Sequence, residues 1–344
     1  MDIVLSFCIP TYNRAETTLN TIKSIIEYPG DDIEVVVVDN NSQDNTIELV
    51  SSVNDHRIRI IKNRVNIGAM GNYATSLKYG YGMYSFVVLS RDVVKTDEIP
   101  ALIDFLKHND FGVMYDGHLN KGNNIEIYKA GAEALKAIGF KDLHQTGHVY
   151  RTDYIKEIVN SFDEKACYRL YGYLPHSSWD AIISMKADAV IYNRILYDYD
   201  NKKYLVKTVS AVQEKNSNLW FSPEQRLLQM NIYAYQMSML PITRGGFNKI
   251  YRDRYIHQLI LATLTFKQFL QSDVECIHYG IKKRNVSIIE MLKEGFVFAR
   301  KSLRCCDEVD KRQSLLTKLY IIVSPFGLLV YLIYSFINSR LHGR

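Results

Sequence analysis

The stretch IEVVVVDNNSQDNT, residues 33–46, decides the fold. Its uninterrupted apolar run is typical of a strand that is covered on both faces of a parallel sheet. The run ends in an acidic, amide-rich loop, and a helix is predicted to open at Asp44. The same order occurs upstream, where a β-rich run at 2–9 stops before Pro10 and residues 15–28 carry apolar side chains at helical spacing. The sequence therefore predicts alternating strands and helices.

The alternation continues along the first quarter of the chain. Further strands are predicted at 58–61 and 86–89, with a helix at 69–79 between them. Four strands alternating with three helices predict an α/β fold, a mostly parallel sheet with helices on both faces. Beyond residue 97 short strands and helices are mixed, and from about residue 223 the pattern is largely helical.

A polar segment follows each of the four predicted strands, at the sheet edge where such folds bind ligands. These segments are Pro-Thr-Tyr-Asn-Arg (10–14), Asp-Asn-Asn-Ser-Gln-Asp-Asn-Thr (39–46), Asn-Ile-Gly (66–68) and Ser-Arg-Asp (90–92). These segments resemble those of glycosyltransferases that use nucleotide diphosphate sugars, ligands that need a slot for the base, hydrogen bonds for the ribose and positive charge or a metal for the diphosphate. We expect each segment to supply one of these.

In the first segment, Pro10 is expected to end the strand, so that Tyr12 faces the base and Arg14 approaches a phosphate. The structural alternative is an ordinary connection from strand to helix, with Thr11 or Asn13 as the helix cap.

Taken together, FCIPTYNR, VVVVDNNSQDNT, NIGAMGN and FVVLSRD resemble the family 2 glycosyltransferases in order and spacing. The resemblance covers about residues 3–95 and is to the bacterial capsule and O-antigen branch, which includes abequosyltransferase-like enzymes. It implies the GT-A fold, a Rossmann-like sheet followed by a helical C-terminal region. It also implies inverting transfer of a sugar from a nucleotide-sugar donor, expected to be UDP-linked, to a lipid-linked saccharide acceptor.

The second segment is the expected nucleoside site. A carboxylate at the tip of a buried strand can accept hydrogen bonds from a uracil N–H or from ribose hydroxyls, and the resemblance places the nucleoside at Asp39 and Asn41. Many relatives carry a second acid where this chain has Asn40. Asp44 and Thr46 are interpreted as helix caps.

The third segment is expected to bring backbone close to the nucleotide. Asn66 and Gly68, with Asn72 soon after, lie between the third and fourth predicted strands, and glycine permits close approach. The alternative is that Gly68 only begins the helix.

Ser90, Arg91 and Asp92 stand where the family has an Asp-x-Asp metal motif. Asp92 can still hold Mg²⁺ or Mn²⁺, so a divalent metal is expected, although the first acid is replaced by Ser90. Arg91 either repels the cation or supplies charge to the diphosphate itself. A surface turn is the structural alternative.

An inverting transfer needs a general base for the acceptor hydroxyl. In the family this is an acid that begins a helix after residue 150, and the segment 174–180 offers Asp180. Trp179 is expected to stack on the acceptor sugar, and His176 to line the acceptor site or serve as the alternative base. The structural alternative makes Asp180 a first-turn acid stabilised by the helix dipole.

The positive charge of the chain is C-terminal. Residues 241–344 carry 17 Lys and Arg against 8 Asp and Glu, while the whole chain has a net charge of +5. Residues 319–337 then form an uncharged apolar run, which predicts a helix that spans a membrane, lies on its surface or packs on the protein. The expected organisation is a GT-A domain at 1–205, a helical region at 206–314 and a membrane-associating helix at 315–344.

Several functions are excluded or ranked lower. The GxSxG, HExxH and GxxxxGK[ST] motifs are absent, the five cysteines lack metal-ligand spacing, and no nucleic-acid motif accompanies the basic region. The N-terminus lacks a secretory signal, so we expect a protein at the cytoplasmic face of the membrane. The competing hypothesis is a catalytically silent nucleotide-sugar-binding subunit of a polysaccharide assembly complex.

Overall fold

The computed structural model describes residues 3–119, 122, 124–161, 171, 174–198, 221–273, 276 and 281–341, with 332–341 as helical backbone only. The chain divides into two compact units, Met1–Leu170 with Leu174–Val212, and Tyr171–Tyr173 with Gln213–Arg344. The boundary expected at residue 205 lies outside the described residues.

The first unit begins with the predicted alternation of strands and helices. Its elements are β1 (Leu5–Thr11), α1 (Ala15–Ile26), β2 (Ile33–Asp39), α2 (Thr46–Ser51), β3 (Ile58–Lys62), α3 (Gly68–Lys78) and β4 (Tyr84–Val87). β1 pairs in parallel with both β2 and β4, and β2 pairs in parallel with β3. The chain thus moves outward from β1 to β3 and returns to place β4 on the other side of β1.

This return explains the two helical layers. Right-handed crossovers in opposite directions put their helices on opposite faces of the sheet. α1 contacts α2, whereas α3 contacts the sheet strands and a later helix, α6 (Thr152–Asn160). All seven residues of β2 are buried as a result. The predicted mostly parallel sheet with helices on both faces is confirmed.

The rest of the first unit extends the sheet to the order β3-β2-β1-β4-β8-β6-β9-β7. β8 is antiparallel to β4 and β6, and β6 is parallel to β9. The short strand β9 is absent from the predicted elements because three residues are too few to show a periodicity. The elements are β5 (Val93–Val94), a 3₁₀ turn (Thr96–Glu98), α4 (Ile99–His108), β6 (Val113–Tyr115), β7 (Glu126–Tyr128), α5 (Ala132–Ala137), β8 (His148–Arg151), α6, α7 (Pro175–Ser184), β9 (Ala189–Ile191) and β10 (Tyr197–Asp198).

Pro10 does not end the first strand, contrary to the sequence-based expectation. β1 continues to Thr11, which pairs with Asp39 of β2. The last pair between β1 and β4 joins Cys8 to Val87, so Pro10 lies beyond the end of β4. Its missing N–H therefore interrupts no ladder on that side, which is the usual condition for proline in a strand.

The second unit is helical, as predicted. Hydroxyl side chains cap three of its helices: Ser222 accepts from Gln225 N, Thr243 from Gly246 N, and Ser287 from Glu290 N. Its elements are α8 (Pro223–Met239), α9 (Arg244–Ile260), a π-helical segment (Leu261–Thr265), α10 (Phe266–Gln271), α11 (Ile288–Ser302), α12 (Asp307–Arg312) and α13 (Leu315–Leu341).

The apolar tail forms the helix α13, and Pro325 lies inside it. Within the part of the chain that the structure describes, no helix is both long enough and apolar enough to cross a membrane.

Candidate active site

A cleft of about 190 Å³ opens at the carboxyl ends of the parallel strands. It lies at the ends of β1 and β4, which are neighbours in the sheet and whose loops lead away in opposite directions. This is the topological switch point, where open α/β sheets bind ligands. Residues of five segments line it: Pro10, Thr11, Tyr12, Arg14, Asn40, Ala69, Met70, Asn72, Tyr73, Leu89, Ser90, Arg91 and Gln145.

Five of the predicted nucleotide-sugar-binding residues line this cleft: Pro10, Tyr12, Arg14, Asn72 and Arg91. They come from the end of β1, from the loops after β1 and β4 and from α3. The parallel order of β1 and β4 brings these loops together, as the strand-end argument predicts.

Asp39 does not line the cleft. Its side chain is fully buried, and one carboxylate oxygen accepts from Ser42 N at 2.9 Å while the other binds the Ser42 hydroxyl. The carboxylate is therefore turned into its own loop. The next predicted residue, Asn41, is half-buried and left-handed, with φ of 64°, and also lies off the cleft wall. Nucleoside binding by Asp39 and Asn41 stays a prediction.

The loops after β1 and β2 hold each other in place. Asn13 N donates to the Ser42 hydroxyl, and Asn13 Oδ1 accepts from Gln43 N, both at 2.8 Å. Arg14 N donates to the Thr46 hydroxyl at 3.1 Å. The Arg14 side chain therefore starts from a backbone that is fixed by hydrogen bonds to the neighbouring loop.

Asn40 links β2 to the loop after β3. Its amide nitrogen donates to Asn66 Oδ1 at 2.9 Å and to Gly68 O at 3.2 Å. Its amide oxygen accepts from Ile67 N at 2.9 Å and from Asn63 Nδ2 at 3.1 Å. The backbone donor and acceptor fix the orientation of this amide, so both ends of Asn40 are required.

Asn72 extends the same network across the sheet edge. Its amide nitrogen donates to Thr11 O at 3.2 Å and to Val38 O at 3.0 Å, and its oxygen accepts from Asn63 at 2.9 Å. The side chain thus ties α3 to the ends of β1 and β2.

Of the other predicted residues in this network, Asn66 and Gly68 do not line the cleft. Asn66 Oδ1 accepts from Gly68 N at 2.9 Å, and α3 begins at Gly68 with φ of 76°. Both residues therefore act in the described structure as framework for the loop. The helix does begin at Gly68, and nucleotide binding by Asn66 and Gly68 stays a prediction.

The cleft carries two guanidinium groups and one nearby carboxyl group. Arg14 and Arg91 both line it. Burial and the positive charge of Arg91 together lower the pKa of Arg14 to about 10, against the opposing effect of Asp92. Burial raises the pKa of Asp92 to about 6, against the opposing effects of Thr146 and the two arginines. The balance of charge at the cleft is positive.

Asp92 does not form a divalent metal site with the described residues. Its carboxylate accepts from the Thr146 hydroxyl and is almost completely buried. Ser90 replaces the first acid of the motif, and a guanidinium stands between them. Among the described residues, no group of three His, Cys, Asp or Glu side chains is arranged to hold a metal ion. Mg²⁺ or Mn²⁺ prefers several oxygen ligands, so this set does not fit it.

Asp180, His176 and Trp179 lie together in α7, fully buried, and none of them lines the cleft. Tyr150 donates to one Asp180 carboxylate oxygen at 2.9 Å, and among the described residues the other oxygen has no hydrogen-bond partner. Burial lowers the pKa of His176 well below its usual value. His176 is therefore a neutral imidazole, and the histidine beside the Asp180 carboxylate is His148, whose Nδ1 lies 3.3 Å from Asp180 Oδ1.

Trp179 is covered by Tyr73, so it cannot stack on a sugar in this conformation. The two rings stack at 5.6 Å with an interplanar angle of 22°. Tyr73 itself lines the cleft, and the Asp180 cluster therefore lies behind the cleft wall. The acceptor roles of His176 and Trp179 and the base role of Asp180 stay predictions.

Sequence reasoning missed Asn40, Tyr73 and Gln145 as cleft residues. Asn40 was noted only as a departure from an acid in relatives. Tyr73 lies one residue after the predicted Asn72, but a buried tyrosine in a helix carries no local signal of function. Gln145 comes from a loop far along the chain, which only the pairing of β8 with β4 brings to the cleft.

Residues 6–167 match the family model described as glycosyl transferase family 2. One relative, a UDP-Glc:α-D-GlcNAc-diphosphoundecaprenol β-1,3-glucosyltransferase, WfgD, from Escherichia coli, is 29% identical over 128 residues, 37% of this chain and 51% of that protein. Abequosyltransferase RfbV from Salmonella typhimurium is 34% identical over 110 residues, 30% of this chain and 33% of that protein. The chain therefore spans about half of the length of the first relative and a third of the second.

The fold is also that of S. aureus TarS. The structure of its residues 1–349 in complex with UDP-GlcNAc superposes with a TM-score of 0.60 at 15% identity, covering 94% of this chain and 89% of that one. This similarity concerns the fold alone. The match over residues 6–167 confirms the resemblance for that part of the chain, a glycosyl transferase family 2 domain, and the structural similarity confirms a GT-A-like fold.

Proposed function

We propose that this chain is an inverting glycosyltransferase that moves a sugar from a UDP-sugar to a lipid-linked saccharide in bacterial surface polysaccharide synthesis. The observation that carries the proposal is the cationic cleft at the switch point, lined by Arg14 and Arg91. The family domain gives the reaction class. The names of WfgD, with its UDP-linked donor and diphosphoundecaprenol-linked acceptor, and of the TarS complex with UDP-GlcNAc support the choice of substrates.

The two arginines are proposed to bind the donor diphosphate. A guanidinium offers a rigid fork of N–H donors that matches phosphate oxygens, and it stays charged at neutral pH. The negative charge that develops on the leaving nucleotide diphosphate is stabilised by the same groups, which lowers the barrier to transfer. No step of this mechanism is assigned to a divalent ion, and the two guanidinium groups supply the positive charge.

Asp180 is proposed as the general base that removes the proton from the acceptor hydroxyl. Its unpaired carboxylate oxygen supports the role, because a buried oxygen without a partner readily accepts a hydrogen bond. Its full burial means that acceptor binding must displace part of the cleft wall formed by Tyr73. Turnover therefore requires a movement of this wall.

The competing function is a nucleotide-sugar-binding subunit without catalysis. The burial of Asp180 and the incomplete metal motif favour it. Both functions require a donor site, but only the glycosyltransferase transfers the sugar to an acceptor. A chromatographic assay with radiolabelled UDP-sugars and a polyprenyl-diphosphate-linked acceptor distinguishes them, because a labelled product excludes the silent subunit.

The donor site is tested by calorimetric titration of the full chain with UDP, GDP, CDP and dTDP, each in Mn²⁺ and in EDTA. UDP is expected to bind in EDTA, and Arg91→Ala to weaken it about 10- to 100-fold, the loss for one charge-assisted hydrogen bond. Arg64→Ala is the matched control, since Arg64 is exposed and does not line the cleft. Binding that requires Mn²⁺ refutes the arginine site, and failure of all four nucleotides to bind refutes the proposed function.

A further inference from the structure

The helix α13 has one exposed apolar face. Buried residues on its opposite side, including Ile321 and Leu328, pack where α13 contacts α9 and α11. The exposed residues recur at intervals of three and four, which places them on one side of the helix. This apolar stripe consists of Leu315, Leu316, Leu319, Ile322, Val323, Phe326, Val330 and Tyr331.

The stripe continues onto α11, where it meets positive charge. Phe296 is 41% exposed and packs edge to face on Phe326, with ring centroids 5.0 Å apart. Lys293 lies three residues before Phe296 and Arg300 four residues after it, and both are exposed. Side chains at these spacings share one face of a helix. Two cations therefore flank the apolar surface.

A groove of about 490 Å³ opens between α9 and α13, within the second unit. The π-helical segment contributes Leu264 to its wall, and π-helical turns occur often at functional sites. The Ser324 hydroxyl in the groove is already hydrogen-bonded to Tyr255 at 2.9 Å. The groove is thus suited to an apolar occupant, and its walls include Leu259, Ile260, Leu264, Val323, Gly327 and Leu328.

We propose that the apolar stripe, with Phe296, binds an anionic lipid leaflet and that one lipid hydrocarbon chain occupies the groove. Lysine and arginine beside an apolar helix face are attracted to anionic headgroups while the apolar side chains enter the acyl boundary. From Leu315 to Tyr331 the stripe is about 24 Å long at about 1.5 Å per residue, which favours a leaflet over a single lipid molecule.

The inference deepens the proposed function, because a lipid-linked acceptor would be met at this surface. Its tests measure lipid binding without sugar transfer, so the two proposals fail separately. An enzyme that transfers sugar but ignores vesicles refutes only the lipid surface. A chain that binds vesicles but no nucleotide refutes only the glycosyltransferase.

The leaflet is tested by flotation of the full chain with phosphatidylcholine vesicles, with and without phosphatidylglycerol. Binding is expected only with phosphatidylglycerol, and Lys293→Ala/Arg300→Ala is expected to weaken it about 30-fold, the effect of two basic residues near an anionic surface. Lys136→Ala/Lys186→Ala, two exposed lysines of the first unit, is the matched control. Equal binding to neutral vesicles, no binding, or binding only after addition of polyprenyl phosphate refutes the proposal.

The groove is tested with cis-parinaric acid, a fluorescent fatty acid, titrated into the full chain without vesicles. Gly327→Leu fills the groove, because no atom lies within 4 Å of a Cβ at this position and leucine is favoured over glycine in a helix. Saturable binding that this variant weakens at least tenfold is expected. Gly245→Ala is the control, a helical glycine with similar open space. Unchanged affinity in Gly327→Leu, or no saturable binding by the unmodified chain, refutes the groove.

Discussion

Asn40→Asp, which restores the acid that many relatives carry, is expected to destabilise this chain. The amide of Asn40 donates two hydrogen bonds, to Asn66 Oδ1 and to Gly68 O. A carboxylate has the same shape but no donor, so it would face two acceptor oxygens. The side chain is 3% exposed, and water does not relieve this repulsion.

The size of the effect follows from these contacts. Two lost hydrogen bonds cost about 1 kcal/mol each, and a buried carboxylate against unsatisfied oxygens costs about 1–3 kcal/mol more. The expected loss is about 3–5 kcal/mol in the free energy of unfolding, a large fraction of the stability of a typical domain. Asn40→Ala, which loses the hydrogen bonds without adding a charge, is the matched control.

The variant also has a characteristic pH dependence. Its surroundings raise the folded-state pKa of the new carboxyl group above the unfolded value of about 3.9. The protonated carboxyl group therefore stabilises the folded variant at low pH, and this stabilisation is lost as the pH rises through the folded-state pKa. Urea unfolding followed by circular dichroism at pH 4.5 and 7.5 should show Asn40→Asp losing stability relative to Asn40→Ala as the pH increases. Wild-type stability in Asn40→Asp at pH 7.5 would refute the assigned network.

Three further predictions test the site and the packing of the sheet. Asp92→Asn should raise the free energy of unfolding by about 3 kcal/mol at pH 7.5 and leave it unchanged near pH 4. The raised pKa of about 6 means that the folded protein disfavours the charged carboxylate, which is the form present at pH 7.5 and which asparagine replaces with a neutral group. Lower stability of the variant at pH 7.5 in urea unfolding would contradict this. Asp180→Asn should keep UDP affinity in calorimetry and lose at least about 100-fold in transfer rate, as expected for a general base, whereas near-normal turnover would exclude Asp180. Gly82→Ala should lower the free energy of unfolding by about 2–3 kcal/mol, because the added Cβ would lie 2.8 Å from Ser6 N. An unchanged midpoint of thermal unfolding would contradict this and show that β1 moves to accept the methyl group.

The first half of the fold was predictable because its signals are local. The valine run of β2, the helical spacing of α1 and the polar loops at the strand ends each lie within a few neighbouring residues. The helical second unit was predictable for the same reason, with serine and threonine caps at its helix starts. The short strands β9 and β10 were not, since their existence depends on pairing with distant segments.

The candidate site was predicted in part. Arg14 and Arg91 were assigned to the diphosphate from their place after β1 and β4, and both line the cleft. Asp39 was assigned to the nucleoside from its place at the end of β2, but its carboxylate turns back to Ser42. The strand-end argument locates a loop and does not specify which way a side chain within that loop points. That direction depends on the hydrogen bonds each side chain makes with its neighbours.

The sequence by itself determined the order of the first four strands and three helices, the resemblance to a family domain in that part of the chain, and most of the loops that form the cleft. Only the tertiary structure decided that Asn40 and Asn72 join these loops, that Asp180 lies behind Tyr73, and that the exposed side of α13 borders a groove. The physical reason is the distance along the chain over which each kind of interaction acts. Propensity and periodicity act between residues a few positions apart, whereas burial and hydrogen bonding in these three places join residues that are distant in the chain.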